Sequence, residues 1–135
     1  MVRAMMLLRL NTLATGYTGV SVSTAQAYAA LLNSPLTPIV LEYGSLGCSG
    51  DLAPLAACAL ALMGEGEVVD ESGAVAPAGE ALEQAGLKAV VLEAKEGLAL
   101  INGTDGMLGM LVLCVCVCVC VCVCVCVCER RVCEE

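Results

Sequence analysis

The residues best equipped for chemistry lie together in Gly44-Ser45-Leu46-Gly47-Cys48-Ser49-Gly50-Asp51-Leu52-Ala53-Pro54-Leu55-Ala56. Two small nucleophilic residues, Cys48 and Ser49, sit with an aspartate among three glycines, and an apolar helical pattern follows directly. Glycine permits backbone geometries that a β-carbon forbids. Asp51 is a good helix N-cap, and Pro54 fits a first turn, where its missing N–H has no intrahelical partner to lose. The stretch reads as a tight loop opening onto a helix N-terminus, an end whose partial positive charge favours anions and electron-rich groups. A phosphate loop is a poor match, because no Gly-Lys-Ser/Thr follows and no lysine is near. A nucleophilic Cys48 lacks an imidazole partner, since the chain has no histidine. The same absence excludes histidine triads and histidine zinc sites within this chain. The plainest alternative is a glycine-rich turn that caps a helix.

The elements that must position this loop follow from the pattern around it. At 135 residues and 59% hydrophobic, the chain suffices for one small domain with a filled core. Val2 to Thr15 predicts a mostly buried helix, with Arg3, Arg9 and Asn11 among apolar residues and Gly16 as its stop. Ser23-Thr24-Ala25-Gln26 fits a capping box that opens a helix to about Asn33. Pro35 and Pro38 end it, and Ile39-Val40-Leu41 reads as a short extended run into the loop. Leu52 to Met63 is apolar on every side, which predicts a helix surrounded by other elements. Val68-Val69 and Ala74-Val75 flank a glycine-containing turn and read as a hairpin. Pro77 to Ala85 predicts a short helix closed by Gly86, and Lys88 to Leu92 reads as extended. Asp105 is placed to cap a further helix through Met107, Leu108, Met110 and Leu111.

Charge and cysteine usage narrow the function classes. Six basic residues against 14 acidic ones give a net charge of -8, which argues against nucleic acid as a partner. Eight of the 11 cysteines fall in one alternating run, Cys114 to Cys128, so the rest of the chain reads as reduced and cytoplasmic rather than as a disulfide scaffold. Met1-Val2-Arg3 leads into an amphipathic pattern that contains Arg9, and no signal peptide is expected.

The GSLGCSGDLAPLA stretch resembles the signature of the aromatic amino-acid ammonia-lyases, and within them the histidine-acting enzymes. RLNTLATGYTGV upstream and Lys95-Glu96-Gly97-Leu98-Ala99-Leu100-Ile101-Asn102-Gly103-Thr104 downstream resemble two further segments of that family. The resemblance implies a mainly α-helical fold, of which residues 1–113 form a segment around the loop with a short β-hairpin. It implies that Cys48-Ser49-Gly50 cyclises into 4-methylideneimidazol-5-one (MIO), with no metal. The Gly50 amide nitrogen attacks the Cys48 carbonyl carbon, where a side chain on the attacking residue would crowd the ring. Ser49 loses its hydroxyl as water and leaves a methylidene carbon. Asp51 is expected to assist proton transfer, and Asn102 to contact the substrate's amino or carboxylate end; read without the resemblance, Asn102 is a turn residue before Gly103.

The implied reaction is non-oxidative elimination of ammonia from L-histidine to give trans-urocanate, carried out by a homotetramer whose sites draw on three subunits. Asp51-Leu52-Ala53-Pro54-Leu55-Ala56 matches the histidine enzymes, whereas plant phenylalanine enzymes usually read Asp-Leu-Val-Pro-Leu-Ser. Another MIO-dependent ammonia-lyase or aminomutase is the alternative. Ala57 departs from the family, whose histidine enzymes usually carry histidine there. The resemblance spans Val2 to about Leu113, a middle piece of a family subunit. The family's catalytic tyrosine precedes it and its carboxylate-binding arginine follows it, so this stretch alone is expected to be inactive. Tyr17, Tyr28 and Tyr43 are accordingly expected to be packing residues.

Residues 114–135 are a different kind of sequence. Cys and Val alternate without a break to Cys128, and Glu129-Arg130-Arg131-Val132-Cys133-Glu134-Glu135 closes the chain. A TG dinucleotide tract translates to this alternation in every frame, so the tail reads as low complexity and foreign to the fold. Two functional readings compete with that one. On a strand every thiol would share one face and bind soft metals, although zinc sites use spaced pairs that this run lacks. As a helix, Met107 to Cys128 is long and apolar enough to enter a membrane. Either would suit a non-catalytic product rather than an enzyme.

Overall fold

The helical periodicity is realised in four segments that end close to their stop signals. In the computed structural model, which describes residues 1–48 and 51–132 and side chains as far as Cys120, these are α1 (Val2–Ala14), α2 (Val22–Asn33), α3 (Ala53–Leu62) and α4 (Ala78–Gln84). Gly16 and Gly86 follow α1 and α4 with positive φ of 77° and 71°, the left-handed geometry that terminates a helix. Two more helices complete the set, a short α5 (Glu96–Ile101) and a long α6 (Asp105–Val132).

The strands make one small antiparallel sheet in the order β1 (Thr37–Pro38), β2 (Glu67–Val69), β3 (Val75–Pro77). The hairpin falls where expected, with Val68 opposite Ala76 and Gly73 at φ 84° in its turn. Asp70 ties that turn by accepting from the Ser72 hydroxyl and from the Ser72 and Ala74 amides. The extended run before the loop is displaced from its expected place. It pairs at Thr37 and Pro38 rather than at Ile39-Val40-Leu41, because Pro38 ends the ladder on the donor side and only the Ile39 amide continues to the Glu67 carbonyl, at 3.0 Å. Lys88 to Leu92 forms no strand.

Met5, Met6, Tyr28, Leu31, Leu55, Cys58, Leu62, Val68, Leu82 and Leu100 meet in one core. Six of the ten residues of α3 are buried, as an all-round apolar helix requires. Burial pushes the Cys58 thiol up to about 12, so it stays neutral. Tyr28 packs as expected, but Tyr17 and Tyr43 are exposed. Both lie in turn and loop segments rather than on a helix face.

Two helix starts differ from the sequence reading. The cap of α2 is Ser21, whose hydroxyl accepts from the Thr24 amide at 3.2 Å, and not the predicted Ser23. In a capping box the acid three residues on reaches back to the N-cap amide. Here Glu96, 75 positions away, takes that role and accepts from the Ser21 amide at 2.7 Å. Its second oxygen accepts from the Glu93 amide at 2.8 Å and the Thr24 hydroxyl at 3.2 Å. One buried carboxylate therefore closes the first turn of α2 and the approach to α5.

The run from Cys114 is helical, so the single-face row of thiols that a strand would make is not formed. On a helix, alternate residues step round the axis by about 200°, so successive cysteines fall on nearly opposite sides. Gly109 lets α6 lie on α1, where an added β-carbon would stand 3.1 Å from Met5 Cβ and 3.2 Å from its amide nitrogen. Beyond that contact Leu111, Val112, Leu113, Val115, Val117 and Val119 are exposed.

The backbone amides of Glu93 and Ser21 hold the Glu96 carboxyl down at about 2. A carboxyl depressed in the folded state stabilises the fold above its unfolded pKa, and that contribution disappears as pH falls through the folded value. Stability measured by urea melts is therefore expected to drop between about pH 4.5 and about pH 2, the two values that bracket Glu96. Glu96→Ala should cost on the order of 2 kcal/mol at neutral pH by leaving several donors unpaired, and should flatten that acid limb. An unchanged limb in Glu96→Ala would remove Glu96 as its cause.

Candidate functional site

The glycine-rich loop is folded around one carboxylate. Asp51 Oδ2 accepts from the Ser45 hydroxyl, from the Leu46 amide at 3.0 Å and from the Gly47 amide at 3.3 Å. Gly44 and Gly47 sit at φ 125° and 67°, so the turns that bring those donors together are open to glycine and strained for other residues. Asp51 thus binds the loop and does not cap α3. The N-cap is Leu52, with no side-chain cap bond. Three converging donors in the loop compete with the first turn of α3, where Pro54 removes one of the free amides.

Ser49 and Gly50, the central candidates, lie outside the described residues. Their flanks fit the closure that the triplet would undergo. The Asp51 amide donates to the Cys48 carbonyl at 3.2 Å. That bond polarises the carbonyl whose carbon a ring-forming nitrogen must attack. Cys48 is exposed.

Asn102 is the C-cap of α5, with extended φ and ψ of -90° and 93°. It is exposed and borders a cavity of about 400 Å³ that Arg9, Thr12, Thr18 and Lys95 also line. Lys95 is the only non-glycine residue with positive φ among the described residues. No hydrogen bond joins Asn102 to the 44–48 loop or to Asp51 among the described residues. The two motifs approach through their helices instead. A β-carbon on Gly106 would stand 3.6 Å from Pro54 Cγ, so the first turns of α3 and α6 adjoin. Two positive helix ends are thereby brought to one place.

Sequence reasoning missed Arg9 as part of this region. It is buried, and it pairs with Asp105 at 3.2 Å. A cation between Leu8 and Leu10 on a mostly apolar helix is the available clue, because buried charges are normally paired. Tyr28 lies close to the pair, and burial together with the neighbouring Cys58 sulfur raises its phenol far above the ordinary range. Among the described residues no group of three potential metal ligands sits together.

A sequence model of the aromatic amino acid lyases matches residues 1–128. The chain belongs to that family. It is 63% identical to a histidine ammonia-lyase of Streptomyces griseus over 112 residues, which are 83% of this chain and 22% of that enzyme. A histidine ammonia-lyase of Geobacillus thermodenitrificans is 55% identical over the same shares. The chain therefore spans about a fifth of the length of these relatives. Among solved structures, a phenylalanine aminomutase of Pantoea agglomerans superposes with a TM-score of 0.74 at 41% identity, covering 80% of this chain and 20% of that one. A histidine ammonia-lyase of Trypanosoma cruzi gives 0.71 at 38% identity, over 77% and 20%. These ammonia-lyase and aminomutase structures bear out the mainly helical fold with its small sheet. The family is the MIO-dependent class.

Asp51→Ala removes the shared acceptor of the loop. Hydrogen exchange at the Leu46 and Gly47 amides should accelerate by on the order of tenfold or more, while the α3 amides keep their protection. Unchanged exchange at both loop amides would show that the carboxylate does not hold them.

Proposed function

We propose that this chain carries the MIO-forming loop and one substrate-contacting residue of a histidine ammonia-lyase, which releases ammonia from L-histidine to give trans-urocanate. The observation that carries the reading is the hydrogen bond from the Asp51 amide to the Cys48 carbonyl, with the Asp51 carboxylate gathering the preceding loop. Identity of 55–63% to histidine ammonia-lyases across most of the chain supports histidine as the substrate over other aromatic amino acids.

Cys48, Ser49 and Gly50 supply the prosthetic group in this reading. Once formed, it offers an electrophilic carbon that draws electrons from the substrate and makes its amine a better leaving group. Asp51 keeps the loop bent and directly follows Gly50 in sequence, whose amide must give up a proton. The adjoining first turns of α3 and α6 favour developing negative charge. Asn102 donates from its carboxamide to the substrate's polar end.

The division of the chain belongs to the same proposal. Residues 1–113 are the enzyme's segment, and 114–135 are a low-complexity extension. Glu96–Cys120 is long and apolar enough to cross a membrane by length and composition. Its charged residues Glu96 and Asp105 are buried in polar contacts with α1, α2 and the α2 cap, which favours a helix rooted in the domain. The exposed apolar side chains of α6 are the kind of surface that subunit association covers, which supports the homotetramer. A cytoplasmic location suits the free thiols at Cys48 and Cys58.

The test sets residues 1–113 in place of the matching segment of the Streptomyces griseus enzyme. The chimera should lose the mass of two waters and form urocanate from histidine, followed by its absorbance. Ser49→Ala should abolish the mass change and lower the rate by at least about a thousandfold, as expected when the group that carries a reaction is removed. A tetrameric chimera that keeps its full mass contradicts the proposal. Turnover of phenylalanine or tyrosine in place of histidine corrects the substrate.

A further inference from the structure

Arg9 spends its guanidinium on the residue that follows α5. Nη1 donates to the Asn102 carbonyl at 3.0 Å and to the Asp105 carboxylate at 3.2 Å, and Nη2 donates to the Ala99 carbonyl. Its Nε has no partner among the described residues, so the hold is made entirely at the tip of the side chain. The carbonyls of Ala99 and Asn102 belong to the open end of α5, where intrahelical donors have run out and a cation is favoured. Asp105 is the first residue of α6. One side chain from α1 therefore fixes the whole α5–α6 junction.

Gly103 makes the fit a matched one. A β-carbon there would fall inside contact distance of both Arg9 Nη1 and Asp105 Oδ2, with Arg9 Cζ next at 3.5 Å. Gly103 is not among the positive-φ glycines, so its backbone does not demand glycine. The space taken by the guanidinium does. Both opposing side chains are buried and pinned by their hydrogen bonds, which limits how far they can retreat.

We infer that Arg9 is the positioning residue for Asn102. It clamps the peptide from which the Asn102 carboxamide projects and so sets the direction of that group. Only the kinetic consequence rests on the proposed role of Asn102 at the substrate.

The test reads Asn102 directly. Asn11, Asn33 and Asn102 are the chain's asparagines and Gln26 and Gln84 its glutamines, and of these five carboxamides the one whose signals vanish in Asn102→Asp is assigned in a ¹⁵N-labelled sample of the 135-residue chain under reducing conditions. Arg9→Lys keeps the charge but cannot span three acceptors, and Gly103→Ala displaces the guanidinium without altering it. Both should shift the Asn102 carboxamide signals and lower their order, while those of Asn11 and Asn33 stay in place. Gly103→Ala should weaken folding by about tenfold or more beside Arg9 and by clearly less in an Arg9→Ala background, where the guanidinium is gone and the Asp105 carboxylate, no longer held by it, can turn aside. Unmoved Asn102 signals in Arg9→Lys and Gly103→Ala, or an equal cost of Gly103→Ala in both backgrounds, overturn the inference. If Arg9→Ala does not fold, the two single variants decide it. In the chimera, Arg9→Lys should lower kcat/KM for histidine about tenfold, and should add nothing once Asn102 is Ala. A silent Asn102→Ala refutes the substrate role of Asn102, and the carboxamide signals then still decide on Arg9.

Discussion

A buried guanidinium must find acceptors, and the rest of this structure is arranged to provide them. Arg9 is 3% exposed on a helix whose other buried residues are Met5, Met6 and Leu13. A charge in that setting must be paired and hydrogen-bonded, as both terminal nitrogens of Arg9 are. Its partners lie 90 to 96 positions away, at the end of α5 and the start of α6. The ion pair thereby joins the first helix to the second of the two motifs. Removing either partner would leave a buried charge alone, so the junction holds as a unit or fails as one.

A second carboxylate does the same at the other end of α5. Glu96 completes the cap of α2 and anchors the turn that begins at Glu93. Only six residues long, α5 has little stability of its own. It owes its position to Glu96 at one end and Arg9 at the other. Lys95 adopts a left-handed conformation between these constraints. Asp51 repeats the principle in the loop, where one carboxylate gathers several donors. Three acidic residues thus act as fasteners between segments, and each uses charge-assisted hydrogen bonds rather than apolar contact.

Much of this was legible from local pattern. The spacing of Met5, Met6, Leu10 and Leu13, the prolines after Asn33, and Gly16 and Gly86 mark real helix limits because their causes lie within a few residues. The loop was legible as a glycine-rich turn before a helix. What failed to show were contacts distant in sequence. Asp51 looked like a helix cap because capping is its commonest local use, and its turn toward Ser45, Leu46 and Gly47 depends on backbone angles at Gly44 and Gly47. Ser23 fits a cap locally through Gln26, whereas the true cap, Ser21, is completed by Glu96, 75 positions away. The α5 helix had no cap motif of its own. The pairing of Arg9 with Asp105 needs the fold before it can be seen, although an arginine inside an apolar stripe always asks for a partner. The Cys-Val run left a strand and a helix open as alternatives to plain low complexity. Alternation suggests a strand when read alone, whereas the helix that begins at Asp105 and packs on Met5 carries its geometry onward.

The central claim is that a junction fixed by Arg9 presents Asn102 to a loop that closes on itself. A crystal structure of this segment within a complete family subunit tests it most directly. The account predicts continuous density for a five-membered ring joining the Gly50 nitrogen to the former Cys48 carbonyl carbon, with the Asn102 carboxamide facing it and its backbone carbonyl still bound by Arg9. An open Cys48-Ser49-Gly50 chain, or an Asn102 turned away while the Arg9 contacts remain, would contradict it.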